Sequence, residues 1–188
     1  MNRISKQPRP HVTEQLIADA LLALMKQYPF DDITITQICQ EAQVSRQSYY
    51  RNYNDKQEIL YRYFKERWLT FQEAYVFSPA AVQENISSVY RHLPFSKELL
   101  SILCRDSLFF ILEQVSRDAA VEISRKMPFF PILDDRKYDL YRYTFIASTF
   151  TSVLYQWTLN EFQESLEELG QITKIFFAGF GQTDGGNQ

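Results

Sequence analysis

Along most of the chain, apolar residues recur at steps of three and four, and no segment alternates strictly with the turn spacing of a sheet protein. That periodicity, with little punctuation to interrupt it, confines the fold to helices. Val12, Leu16, Ala20, Leu21, Leu24 and Tyr28 mark one face of a helix over about 12–27, which Pro29, Phe30, Asp31 and Asp32 stop. Thr34 with Gln37 three residues on is a capping-box pattern, and it predicts a short second helix ending near Glu41 with Ile35, Ile38, Cys39 and Ala42 inward. Ser45 then suits the N-cap of a third helix, from Arg46 to about Tyr53. Asn54 and Asp55 are candidate caps of a long fourth helix carrying Ile59, Leu60, Tyr63, Phe64, Trp68, Phe71 and Tyr75 on one stripe. Prolines at 79, 94, 128 and 131 divide the remainder into helical stretches near 80–92, 95–104, 107–126, 135–159 and 164–178.

Composition narrows the function classes. Two cysteines, Cys39 and Cys104, and two histidines, His11 and His92, make neither a disulfide framework nor a zinc set of the usual short spacing. Cys39 is expected as a small buried hydrophobe, and the histidines at the surface or at caps. No cofactor is expected. The first ten residues are basic and polar and lack the apolar stretch of a signal peptide. The longest uncharged run, Tyr143 to Asn160, has 18 residues of which eight are Thr, Ser, Gln or Asn, so it reads as a buried helix rather than a membrane span. The expectation is a cytoplasmic protein with no membrane partner.

Net charge is −3, which by itself argues mildly against nucleic acid, because duplex binders usually carry a basic footprint. The charge is unevenly spread. Residues 1–58 hold seven basic and seven acidic side chains, so the whole excess of acid lies beyond them.

Two short helices joined by a turn of about four residues, Ala42 to Ser45, are the skeleton of a helix-turn-helix. A helix entering the major groove presents its N-terminal residues to base edges. Arg46 and Gln47 stand there, and both side chains can make bidentate contacts, Arg to guanine and Gln to adenine. Tyr50, Arg51 and Lys56 follow at spacings suited to a phosphate wall, with Thr34 and Ser45 at the helix starts. Arg3, Lys6 and Arg9 form either a minor-groove arm or a solvated tail.

The segment from Thr34 to Leu60 resembles the DNA-binding region of the TetR/AcrR family of transcriptional regulators. The matching residues are Thr34, Ile35, Ile38, Cys39, Ala42, Val44, Ser45, Ser48, Tyr49, Tyr50, Tyr53, Lys56 and Leu60, with Cys39 where the family usually has Ala, Ser48 where it usually has Thr, Tyr49 where it usually has Phe, and Tyr53 where it often has Phe. The resemblance covers about residues 10–60. It implies a three-helix DNA-binding domain, with the rings of Tyr49 and Tyr53 in the core holding the third helix against the first, a helical C-terminal domain, a dimer built on the last two long helices, and, for most relatives, a repressor released by a small ligand. Gln43 departs from the pattern, because the family usually has Gly in this turn. A positive φ there costs a non-glycine residue roughly 1 kcal/mol or more.

The expected organisation is therefore all-α, with a helix-turn-helix domain over 1–58, a helical effector-binding and dimerisation domain over 59–180, and a flexible tail over 181–188. Thr144, Ser148, Thr151 and Ser152 place small residues along the helix near 135–159, which would let a second helix come close. With Tyr155, Ile172 and Phe176 they are the candidate dimer interface. Of the 29 aromatic residues, 24 follow residue 58, and they suit either a cavity for an apolar or aromatic effector or a packed core and dimer seam. The expected partners are double-stranded operator DNA, a second copy of the chain and a small-molecule effector.

Two other classes compete. A co-regulator could keep this shape and act through a protein partner, although Arg46, Gln47, Tyr50 and Lys56 together favour DNA. A helical enzyme finds little support: there is no glycine-rich phosphate loop or nucleophile motif, and Glu161, Glu164, Glu167 and Glu168 suit the start of a helix. No catalytic residue is expected.

Overall fold

The computed structural model describes residues 10–74, 87, 90–126 and 139–179. Among them are eight α-helices and no strand: α1 Pro10–Met25, α2 Ile35–Glu41, α3 Arg46–Asn52, α4 Lys56–Ala74, α5 Lys97–Arg105, α6 Phe109–Lys126, α7 Asp139–Leu159 and α8 Leu166–Gly179, with a 3-10 turn at Phe30–Asp32. The chain divides into two compact units, Met1–Phe64 and Lys65–Gln188, so the division falls within α4. Arg3, Lys6 and Arg9, Tyr75, Phe180, the tail over 181–188 and most of the helix expected near 80–92 lie outside the described residues, as do the side chains of Phe71 and Phe176.

Local chemistry sets the helix starts. Thr34 accepts from the Gln37 amide at 3.2 Å, while the Gln37 side-chain oxygen accepts from the Thr34 amide at 2.8 Å, completing the capping box. Ser45 accepts from the Ser48 amide at 3.1 Å. At the start of α4, Asp55 accepts from the Glu58 amide at 2.7 Å and the Glu58 carboxylate accepts from the Asn54 amide at 2.8 Å, so Glu58 serves both candidate caps. Ser165 and Glu168 make the reciprocal pair before α8, at 3.2 and 2.7 Å, and Glu167 pairs with Arg91. Of the four glutamates expected at this helix start, Glu167 and Glu168 are occupied by these contacts, Glu164 accepts from the Asn160 side chain at 2.5 Å, and Glu161 belongs to the end of α7.

The helix ends share a less expected device. In α2 the Val44 amide donates to the Cys39 carbonyl at 3.0 Å and the Gln43 amide to the Gln40 carbonyl at 3.2 Å. This is a Schellman motif, whose turning residue needs a left-handed backbone, and Gln43 supplies it at φ 53°. Ser107 closes α5 in the same way at φ 56°, and Glu161 closes α7 at φ 53°. None of the three is glycine.

In the first unit α1 packs against α2 and α3, and α2 against α3. The buried stripe of α1 is Thr13, Ile17, Ala20, Leu21 and Leu24, whereas Val12, Leu16 and Tyr28 are exposed. Ala20, Leu21 and Leu24 of the face inferred from spacing are therefore inward, whereas Val12, Leu16 and Tyr28 are not. Apolar residues surround most of α1, so periodicity left two adjacent stripes open, and packing on α2 and α3 chose one.

In the second unit α6 packs along α7, which also meets α5 and α8. Several of its described rings meet: Trp68 stacks on Phe95 at 6.3 Å and Tyr90 on Phe150 at 5.4 Å, while Trp68 lies tilted against Phe150 at 5.7 Å. Tyr90 and Thr173 share a buried hydrogen bond of 2.7 Å, and burial pushes the Tyr90 phenol up to about 12. Gly170 lets α8 approach Ser87 so closely that a Cβ there would stand 2.8 Å from the Ser87 backbone nitrogen. Of the expected dimer stripe, Thr144, Ser152 and Tyr155 are exposed, and Ser148 and Ile172 are half-buried. Thr151 is already buried inside the protomer, with its hydroxyl donating to the Ser148 carbonyl at 3.3 Å. It points toward the protomer's own core, where a second chain cannot reach it.

Candidate nucleic-acid interface

α2, the turn over 42–45 and α3 form the helix-turn-helix. The turn is closed at one end by the backbone hydrogen bonds of the α2 Schellman motif and at the other by the Ser45 side-chain cap, and together they fix the entry of α3. Seven residues make α3 about 10 Å long, short enough to lie in a major groove.

Tyr49 anchors this helix. Its side chain is fully buried, edge-on to Tyr50 with ring centroids 5.4 Å apart and tilted against Tyr53 at 6.2 Å. Tyr53 is also buried, and its hydroxyl donates to the Glu14 carbonyl of α1 at 3.3 Å. Arg62 lies over the Tyr53 ring and pairs with Glu14 at 3.2 Å, joining α4 to α1. Both tyrosines are core residues. The Tyr49 hydroxyl is buried with no hydrogen-bond partner among the described residues, and burial pushes its ionisation well above the ordinary phenol range.

With Tyr49 inward, the 100° step of the helix turns Arg46, Gln47, Tyr50 and Arg51 outward, and all four are exposed. The Arg46 guanidinium reaches the Tyr50 hydroxyl at 3.5 Å, a contact that also favours its charged form. Arg51 donates to the Ser48 hydroxyl at 3.3 Å. The result is a two-turn helix whose outer face offers two guanidinium groups, one amide and one phenol. Thr34 and Ser45 are exposed as well, but their hydroxyls are engaged in caps.

Lys56 departs from expectation. Its ammonium turns inward, donating to the carbonyl oxygens of Phe30 and Ile33 at 2.7 Å each and of Asp31 at 3.4 Å, and it lies 4.5 Å from the Phe30 ring centroid. Burial lowers its pKa, opposed by the nearby Asp31 and Asp32 carboxylates. All three N–H donors therefore face the protein, where the sequence had suggested a phosphate wall. One signal was available in the sequence. A cation in the first turn of a helix opposes the helix dipole and needs another partner, and Lys56 is the first residue of α4. Phe30 and Ile33 were not identified as that partner.

Among the described residues no cluster of His, Cys, Asp and Glu could hold a metal ion, and no helix is long and apolar enough to cross a membrane. No family model matches the chain, and no curated protein matches it. Among solved structures it is similar to one described as the dihydroxyacetone kinase operon activator DhaS, with a TM-score of 0.52 and 17% identity over 89% of this chain and 95% of that one. The likeness spans both units. At that identity it shows a shared all-helical fold.

Proposed function

We propose that the chain is a sequence-specific DNA-binding transcription regulator of the TetR/AcrR type, acting as a homodimer and answering to a small apolar or aromatic ligand. The observation that carries the reading is α3 itself: capped by Ser45, anchored by Tyr49, and presenting Arg46, Gln47, Tyr50 and Arg51 outward from a helix-turn-helix. Arg46 and Gln47 would read base edges, while Tyr50 and Arg51 would hold phosphates. Arg3, Lys6 and Arg9 would add a minor-groove arm, and Thr34 and Ser45 would face the backbone through the helix starts.

The homodimer is supported by the outer face of α7. Tyr141, Phe145, Ser148, Ser152, Tyr155 and Leu159 follow one another at steps of four and three, forming a stripe about 27 Å long. Tyr141 is 75% exposed and Leu159 51%, more apolar surface than a helix that faces only water needs to carry. Two copies joined there would present two α3 helices to half-sites about one helical turn apart or slightly more. A ligand held in the ring-rich second unit would shift the spacing of the two reading heads and so the DNA-competent population.

Release of a repressor by its ligand is the first reading. The second is activation, favoured by the solved structure of similar fold that is described as an operon activator. Selection of bound genomic fragments followed by sequencing tests the proposal. A palindromic motif with half-sites one turn or slightly more apart is expected, and recovery of no fragment above background would refute DNA binding. Expression of the adjacent gene with and without the regulator then separates repression from activation.

A further inference from the structure

Lys56 is the first residue of α4, and its ammonium is spent on three carbonyl oxygens between α1 and α2, those of Phe30 and Asp31 in the 3-10 turn and of Ile33 immediately after it. An ammonium carries three N–H donors, and this segment offers one acceptor for each. The Phe30 ring, itself buried, lies against the same charge. The Ile33 carbonyl belongs to the residue immediately before Thr34, the N-cap of α2. The start of α4 is thereby tied to the start of the helix that carries the reading turn.

We propose that Lys56 is a positioning residue of the DNA-reading unit, an ammonium plug that fixes the entry of α2 against the start of α4, and not a phosphate contact. The consequence for DNA rests on the function proposed above, whereas the plug itself does not. Its geometry is specific to an ammonium. A guanidinium is a flat fork suited to a carboxylate or phosphate, and it cannot aim its donors at three carbonyls gathered from one short segment. Arginine would satisfy a phosphate contact and fail in the cradle.

Lys56→Arg and Lys56→Met in the full-length protein separate the two roles. Amide exchange at Ile33 and Gln37 reports the turn and the cap, because those amides donate to Phe30 and Thr34. Both variants are expected to exchange roughly tenfold faster there and to unfold roughly 3–6 °C lower. Binding to a selected genomic fragment should weaken in both, with the dependence on salt unchanged. Should Lys56→Arg keep parental exchange and affinity while Lys56→Met flattens the salt dependence by about one unit, the lysine is a phosphate contact and the proposal is overturned. If Lys56→Met does not fold, Lys56→Arg decides the matter, since it keeps both stem and charge. A parent that binds no fragment would refute the DNA reading, and exchange at Ile33 would still decide the plug.

Discussion

Gln43→Gly isolates a single physical effect. Gln43 turns the chain from α2 toward α3 with φ 53°, a region where the Cβ of an L-residue crowds the following carbonyl at a cost of about 1–2 kcal/mol. Glycine escapes that cost but gives the unfolded chain more freedom, which offsets about 0.4–1 kcal/mol. The Gln43 side chain is exposed, so its removal forfeits little packing. The difference is a stabilisation of about 0.5–1 kcal/mol, or a midpoint rise of about 1–4 °C for a chain of this size. Urea denaturation followed by circular dichroism would measure it, with the midpoint moving and the m-value unchanged. Gln43→Ala is the control: it deletes the same side chain, keeps Cβ, and should not stabilise. Gln43→Asn should recover part of the gain, because asparagine tolerates the left-handed region. The reasoning fails if Gly and Ala at this position are equally stable. Ser107→Gly and Glu161→Gly offer internal repeats, since both sit at the same point of the same motif. The three gains should add.

Four further outcomes follow from the same structure. Tyr49→Phe removes a buried hydroxyl with no partner among the described residues and should stabilise the protein by about 1 kcal/mol in thermal unfolding; a loss of that size would mean the hydroxyl is satisfied in solution. Gly170→Ala places a Cβ 2.8 Å from the Ser87 backbone, and overpacking of this kind should cost about 1–3 kcal/mol, outweighing the usual gain of Ala over Gly in a helix. Glu58 has its carboxyl held below the usual range, first by the Asn54 amide and then by Arg62. Its contribution is thus present at neutral pH and lost as the pH falls below about 4.5 through the lowered folded value, so Glu58→Gln should be less stable than the parent at pH 7, with the gap narrowing as the carboxyl protonates in acid. Arg46→Ala should weaken binding to a selected DNA fragment by about 1–3 kcal/mol and relax preference at one base position, which a competition assay with single-base variants would resolve.

Much of the reading unit is legible from the amino acids because its determinants are local. A cap is a contact between residues three apart, so Thr34 with Gln37, Ser45 with Ser48, and Asp55 with Glu58 declare the starts of α2, α3 and α4 without reference to the rest of the chain. Once Ser45 fixes the start of α3, the helical step leaves only the choice of inward residue, and because Tyr49 and Tyr50 are both rings it was the family resemblance that named Tyr49. The left-handed turn at Gln43 is local too, but it was expected only through the family resemblance, in which glycine usually stands at this position.

Local sequence thus set the order of the described helices, the starts of α2, α3 and α4, and the outward Arg46, Gln47, Tyr50 and Arg51. Tertiary packing decided which stripe of α1 is inside, because that helix is apolar on two adjacent stripes and only α2 and α3 distinguish them. It also sent Thr151 into the protomer and turned Lys56 from solvent to the carbonyls of Phe30, Asp31 and Ile33. The physical reason is range. A capping bond closes within one turn of backbone, whereas the partners of Lys56 stand 23 to 26 residues away, and no periodicity in a sequence records what folding brings beside a side chain from that distance.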